Sequence, residues 1–284
     1  MIFRLNKFTP ILNFCLETGH GKKIKNLKLI LSSYKQIFVL GAGASAISHN
    51  LVTEYEGKNI ISFDHNPLLL FSANKLFNKE SIDVWDYTFY PKDLESSALK
   101  YKLSSDKNLK SNHQFILGSF PDIPVKKGSL DLIIAPWFYD IINFDFQESV
   151  LYSLQFLKPN GKLIIMGPSN IHKKDISEQF CSNEINEFLS GLFEGQTTNL
   201  ENVTYLANPL SSQNRSEQVI LFSGSGPKTK VYQECMNKTI QEKELMIKFN
   251  PAFENYKAIN QTFFHILKHV TEDITADDLA LLIL

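Results

Sequence analysis

The sequence predicts an α/β protein: a seven-stranded, mostly parallel sheet with helices on both faces and a helical C-terminal extension. Three observations predict it. Short, largely apolar runs such as Gln36–Leu40, Leu130–Ala135 and Lys162–Met166 read as strands buried on both faces. Helical stretches separate them, as crossovers between parallel strands require. Turn chemistry punctuates the boundaries, as at Pro67 and at Lys158-Pro159-Asn160-Gly161.

Bulk properties exclude several classes. The chain has 284 residues, 29 Lys+Arg against 30 Asp+Glu, 43% hydrophobic and 21% charged residues. That is globular rather than disordered composition. Only two arginines occur, Arg4 and Arg215, and the lysine clusters are balanced by acids, so no nucleic-acid partner is favoured. Cys15, Cys181 and Cys235 are far apart and odd in number, which speaks against a disulfide framework or a CxxC metal site and suits a reducing, cytoplasmic setting. His265 and His269 share a helical spacing but lack a third ligand, so no metal is expected. No apolar run approaches the roughly 18 residues of a membrane span. The short run Ile11–Leu16 ends at Glu17 and reads as an amphipathic helix rather than a signal peptide.

Along the chain, Gln36–Leu40 is the first strand, and a helix is expected over Ala46–Tyr55. Asn59–Phe63 is the second strand, ending at Asp64. Pro67 opens a helix to about Phe77, its missing N–H costing nothing in a first turn. Residues 78–112 form an irregular insertion, with an extra strand at Val84–Tyr90, a short helix at Asp93–Leu103 and a polar stretch, Ser104–Asn112. Then follow strands at Gln114–Leu117 and Leu130–Ala135, a helix over Gln147–Leu157 and a strand at Lys162–Met166. A helix around Ser177–Gly191 and strands at Val203–Leu206 and Gln218–Phe222 complete the sheet. Ser223–Pro227 reads as a boundary. The expected organisation is an N-terminal helical lead (1–35), a main domain (36–223) and a helical extension (227–284). The tail Leu279–Leu284 is apolar enough to require a cover, from the domain, a protein partner or self-association.

The chemistry concentrates at strand ends. Gly41-Ala42-Gly43-Ala44-Ser45 follows one strand and opens a helix, and Asp64 ends the next strand 21 residues after Gly43. Glycine lets a ligand approach the backbone, a helix N-terminus offers unpaired N–H groups, and a carboxylate at the second strand tip can accept from a ribose diol. This combination points to an adenosine-containing ligand in a Rossmann-like fold.

Three later segments narrow the ligand: Phe115–Phe120, Gly128–Trp137 and Leu157–Ile164 arrive in that order. The series resembles the class I S-adenosylmethionine-dependent methyltransferases over roughly residues 36–223. The resemblance implies that Gly41, Ala42, Gly43 and Ser45 hold the methionine and ribose end, that Asp64 takes the ribose hydroxyls, and that Ser119 and Phe120 flank the adenine. Pro136 and Trp137 would lie near the transferred methyl, with S-adenosylhomocysteine as product. Ser119 stands where many relatives have an acid.

Pro136–Asp140, Gly167–His172 and Tyr205–Ser211 also look like the carnosine N-methyltransferase-like family, which implies that Asp140, His172 and Tyr205 face a small imidazole-bearing acceptor. Ser169 and Asn170 depart from that family's pattern. Such an Asp140 could hold one ring N–H and leave the other nitrogen nucleophilic, while His172 could relay a proton. The function expected is N-methylation of a small molecule or peptide. Two alternatives stand beside it. One is a methyltransferase fold kept as a non-catalytic binding scaffold. The other is an NAD(P)-dependent oxidoreductase, because Gly41-x-Gly43-x-x-Ala46 also satisfies the dinucleotide fingerprint, although no Tyr-x-x-x-Lys pair accompanies it.

Overall fold

Gln36–Leu40 is strand β1, and its side chains divide between two apolar layers. Phe38 and Leu40 enter one, Ile37 and Val39 the other. This double burial recurs in Leu130–Pro136 and over residues 163–166 and explains why these central strands are apolar at nearly every position. The computed structural model describes residues 33–87, 98–171, 179–207 and 214–236. The expected N-terminal lead up to residue 32 and the extension beyond Met236, apolar tail included, lie outside the described residues, as does His172.

After β1 come α1 (Ala46–Glu54), β2 (Asn59–Asp64), α2 (Pro67–Phe77), β3 (Ile82–Tyr87), β4 (Ala98–Leu103), β5 (Asn112–Leu117) and β6 (Leu130–Pro136). The chain continues through α3 (Phe146–Leu154), β7 (Leu157–Pro168), α4 (Ser182–Leu192), β8 (Phe193–Ala207), β9 (Asn214–Pro227) and α5 (Thr229–Cys235). Seven strands form one sheet in the order β5-β2-β1-β6-β7-β9-β8. All pairings among β5, β2, β1, β6 and β7 are parallel, and β9 alone runs against its neighbours. The expected fold class holds: this is a doubly wound, Rossmann-like α/β sheet.

Helices α1 and α2 cover one face, where Ile47, Leu51, Val52 and Phe77 pack on Ile37, Val39, Ile60 and Ile134. On the other face α3 and α4 lay Phe146, Val150, Leu154, Ile185 and Leu189 against Phe38, Ile133, Leu163 and Phe222. Local signals start the helices. Asn66 accepts from the N–H groups of Leu68 and Leu69 ahead of Pro67, and Asp145 accepts from Glu148 N–H at 2.9 Å.

Three expectations change. The helix expected over Asp93–Leu103 is replaced, where described, by β4, which pairs antiparallel with β3. Its sequence alternates Leu99, Tyr101 and Leu103 with exposed Lys100 and Lys102, a period of two. Ser223–Pro227, read as a boundary segment, forms the end of β9, where Ser223 pairs Ile164 and Ser225 pairs Lys162. Gly224 is glycine because the Phe193 ring lies against the position a Cβ would take. The ordered chain then runs on into α5, whose Tyr232 hydroxyl donates to the Leu157 carbonyl at 2.9 Å. Finally, the turn at residues 158–161 is a bulge within β7: Leu130 faces Leu157, but Leu132 already faces Lys162.

Candidate cofactor site

The strand order reverses between β1 and β6, since the chain leaves β1 toward β2 and β5 and returns to β6 on the opposite side. In open α/β sheets the crevice at the carboxyl ends of such strands is where ligands bind. Gly41, Asp64, Gly118 and Trp137 follow or end β1, β2, β5 and β6, so the topology gathers them along this edge.

The turn after β1 is held in a left-handed path, with φ of +69° at Gly41, +52° at Gly43 and +58° at Ser45. Two contacts fix it. Ala42 N–H donates to the Phe63 carbonyl at 2.9 Å, and Ser45 N–H to the Ala42 carbonyl at 2.8 Å. A Cβ on Gly41 would lie 2.7 Å from Phe138 Cδ2, so the backbone there is packed against the chain following β6. Among the described residues a Cβ on Gly43 would meet nothing within 4 Å, so they leave the turn open above it.

Asp64 is 93% buried by the complement of its 7% exposure, yet both oxygens are used. Oδ2 accepts from Gly43 N–H at 2.6 Å and Oδ1 from Asn66 N–H at 2.8 Å. Each carboxylate oxygen keeps a further lone pair for a ligand hydroxyl. Ser45, the N-cap of α1, is 1% exposed, and its hydroxyl has no hydrogen-bond partner among the described residues. A buried donor left open at a helix N-terminus, open space over Gly43 and a carboxylate beside it together fit a polar, hydroxyl-bearing cofactor.

The remaining residues expected at a cofactor are placed as follows. Ser119 is exposed just beyond β5 and its carbonyl accepts from Asp122 N–H at 2.9 Å. Phe120 is half-buried and stands edge-on to Phe138, Phe144 and Tyr152, with ring centroids 5.3–5.4 Å away. Pro136 ends β6 opposite Met166. Trp137 has φ of +46°, a backbone state uncommon for a bulky residue, and its N–H donates to the Met166 carbonyl at 2.6 Å. Strained non-glycine backbone of this kind concentrates at functional sites, and Ser45 and Trp137 are two of the three such described residues.

Of the residues expected to face an acceptor, Asp140 is half-buried where β6 has ended, its Oδ1 3.7 Å from the position a Cβ on Gly167 of β7 would take. Its neighbour Tyr139 is buried in the core. Burial drives that phenol pKa upward, partly offset by Ser153, so it stays protonated rather than serving as a base. Tyr205 is the extra residue of a bulge in β8, since Thr204 faces Ser216 and Leu206 faces Arg215. Among the described residues no group of three or more His, Cys, Asp or Glu is placed to hold a metal.

Sequence reading missed two features. Asn66 both caps α2 and donates to Asp64, and Asn-Pro at a helix start was the available signal. Behind the glycine turn, Ser62 Oγ donates to Ser48 Oγ at 2.6 Å and lies 2.9 Å from His113 Nε2. Its only trace in sequence is a serine inside the otherwise apolar run Ile60-Ile61-Ser62-Phe63.

No protein-family model and no curated protein matches the sequence. Solved structures do. The chain is similar to a SAM-dependent methyltransferase from Methanosarcina mazei at 12% identity, covering 69% of this chain and 96% of that one, with a TM-score of 0.45. It is also similar to TehB from Haemophilus influenzae at 14% identity, 72% and 62% coverage and a TM-score of 0.46. A third is an arsenic(III) S-adenosylmethionine methyltransferase from Chlamydomonas reinhardtii, at 14% identity, 66% and 62% coverage and a TM-score of 0.43.

Proposed function

We propose that the protein is an S-adenosylmethionine-dependent methyltransferase that methylates a nitrogen of a small molecule or peptide. The observation that carries this reading is the arrangement at the switch point. Asp64 and the Gly43 N–H are hydrogen-bonded under an open turn, next to the unpartnered Ser45 hydroxyl. In this reading Asp64 accepts the ribose hydroxyls, Gly43 leaves the backbone bare for close approach, and Ser45 donates to a polar group at the methionine end. Ser119 and Phe120 flank the adenine, while Pro136 and Trp137 face the reacting end. A tryptophan face there favours a cationic donor.

Bound S-adenosylmethionine supplies a sulfonium methyl open to in-line displacement. The chain's own task is then orientation, which can account for much of the acceleration. Asp140 holds an N–H of the acceptor and fixes the nitrogen that keeps its lone pair, with His172 and Tyr205 completing the acceptor side. An imidazole-bearing acceptor suits that trio.

Titration calorimetry tests the reading, with S-adenosylhomocysteine and NADH titrated in parallel into the full chain. Micromolar binding of S-adenosylhomocysteine and none of NADH is expected. Folded protein that bound neither at millimolar concentration would overturn it, and tighter binding of NADH would replace it with the oxidoreductase reading.

A further inference from the structure

Between α1 and the sheet, directly behind the glycine turn, a polar chain crosses an otherwise apolar layer. Ser48 of α1 and Ser62 of β2 are both 0% exposed. Ser62 Oγ lies 2.6 Å from Ser48 Oγ and 2.9 Å from Nε2 of His113 on β5. Aromatic rings enclose the outer end: Phe77 lies 4.3 Å from the His113 ring and 5.2 Å from that of His49, with Phe115 edge-on to both Phe77 and His113. His49 in turn meets Ser105 Oγ through its own Nε2 at 2.7 Å.

A serine hydroxyl has one proton to give. With that of Ser62 directed to Ser48, Nε2 of His113 is the donor to Ser62; with Ser48 as donor, Ser62 gives its proton to Nε2 instead, and either way the chain of three is satisfied. Burial, aided by the nearby His49, holds the His113 pKa down to about 4, so the ring is neutral around pH 7.

Placement gives this chain its meaning. Ser48 stands three residues beyond Ser45, and Ser62 stands two residues before Asp64 on the same face of β2. The Ser48–Ser62 bond therefore ties α1 to the same strand that the Gly43–Asp64 bond ties to the turn leading into α1, about 7 Å further into the fold by strand rise. Apolar contacts between α1 and β2 resist separation but do not fix sliding, because they are non-directional. A buried hydroxyl pair does fix it, since any slide leaves polar groups unsatisfied.

We propose that Ser48 and Ser62, backed by His113, are positioning residues that set the register of α1 on β2 and so the spacing of the Gly43 N–H from the Asp64 carboxylate. The inference rests on the cofactor reading above for its functional consequence. It makes no claim that these buried groups touch the cofactor.

Calorimetric titration of S-adenosylhomocysteine into wild type, Ser48→Ala, Ser62→Ala and the double variant reads affinity and stoichiometry separately. Each single variant should bind about 5- to 10-fold more weakly at unchanged stoichiometry. The double should be no weaker than the weaker single, because the two hydroxyls form one bond. Lower stoichiometry with wild-type affinity would mean the pair serves folding only and would overturn the proposal, as would single effects that multiply in the double. A wild type that binds no S-adenosylhomocysteine is a failure of the cofactor reading instead. The positioning claim is then decided by amide hydrogen exchange at Gly43, which Ser48→Ala, the milder change, should accelerate several-fold. Unchanged exchange there would overturn it.

Discussion

The carboxylate of Asp64 accepts a hydrogen bond from the backbone N–H of Gly43 at 2.6 Å across 21 residues of chain, and it accepts from Asn66 N–H through its other oxygen. Both contacts are donor-to-carboxylate, so the site tolerates no donor at either position. Asp64→Asn must turn its NH2 toward one of those N–H groups, whichever way the amide is flipped. Leaving a buried donor unsatisfied costs about 1–3 kcal/mol. The variant should melt several degrees lower and bind S-adenosylhomocysteine at least about 10-fold more weakly. Wild-type affinity in the calorimeter would remove Asp64 from the ligand site.

Gly41 and Gly43 share a left-handed backbone but differ in what surrounds them. Alanine at 41 would place its Cβ 2.7 Å from Phe138 Cδ2 at a φ of +69°, combining overpacking with backbone strain, so a stability loss of about 2–4 kcal/mol is expected. Alanine at 43 meets nothing within 4 Å and carries only the strain, about 1–2 kcal/mol. The second methyl, however, projects into the open space above the turn. Thermal melts should therefore rank Gly41→Ala below Gly43→Ala, while ligand affinity in the still-folded Gly43→Ala falls sharply. If Gly43→Ala bound as wild type does, no ligand would pass over that glycine.

These two glycines and Asp64 also show why the local geometry of the candidate site was legible in sequence. A strand, a glycine turn, a helix and an acid at the next strand tip are local features, and short-range sterics fix each of them. The doubly wound sheet was legible for a related reason: strands such as Leu130–Pro136 are buried on both faces and so stay apolar throughout. What escaped detection depends on partners distant in sequence. β4 reads as helix until β3 pairs with it, and Gly224 reads as a linker until Phe193 is laid across it. The Ser48–Ser62–His113 chain spans three elements, and no spacing rule connects its members.

At the opposite edge of the sheet, Asp131 ties three strands together. Its Oδ2 accepts from the N–H groups of Lys35 and Gln36 at 2.8 Å each, and its Oδ1 meets Lys158 Nζ at 2.6 Å. Burial raises the carboxyl pKa, but the Lys158 hydrogen bond, the two backbone N–H groups and the Lys158 charge outweigh it, so the net shift is downward. A carboxylate depressed in the folded state stabilises above its unfolded pKa, near 3.9, and loses that contribution as pH falls through the folded value. Denaturant melts at pH 7 should show Asp131→Asn less stable by about 1–3 kcal/mol, the range for a hydrogen bond to a charged group. The gap between variant and wild type should narrow as pH falls below the unfolded carboxyl pKa and close once it has passed the lower, folded-state one. A gap that stayed constant with pH would assign the loss to packing rather than to charge.

Substitution of Asp140 separates chemistry from binding in the proposed function. The residue follows the end of β6 beside Gly167 of β7, off the β1–β2 tips that carry the proposed cofactor residues. Asp140→Asn keeps the shape and one acceptor oxygen but removes the charge that would hold an acceptor N–H and stabilise positive charge arising as nitrogen takes a methyl group. With an accepted substrate in hand, turnover should fall about 10²-fold or more, the usual range for a positioned acid–base group. S-adenosylhomocysteine affinity should stay within a few-fold of wild type, because the bonds at Gly43 and Asp64 are untouched. Unchanged turnover would remove Asp140 from the acceptor side. A parallel loss of affinity would move it to the cofactor, and the β6–β7 junction would then be read as part of the methionine pocket.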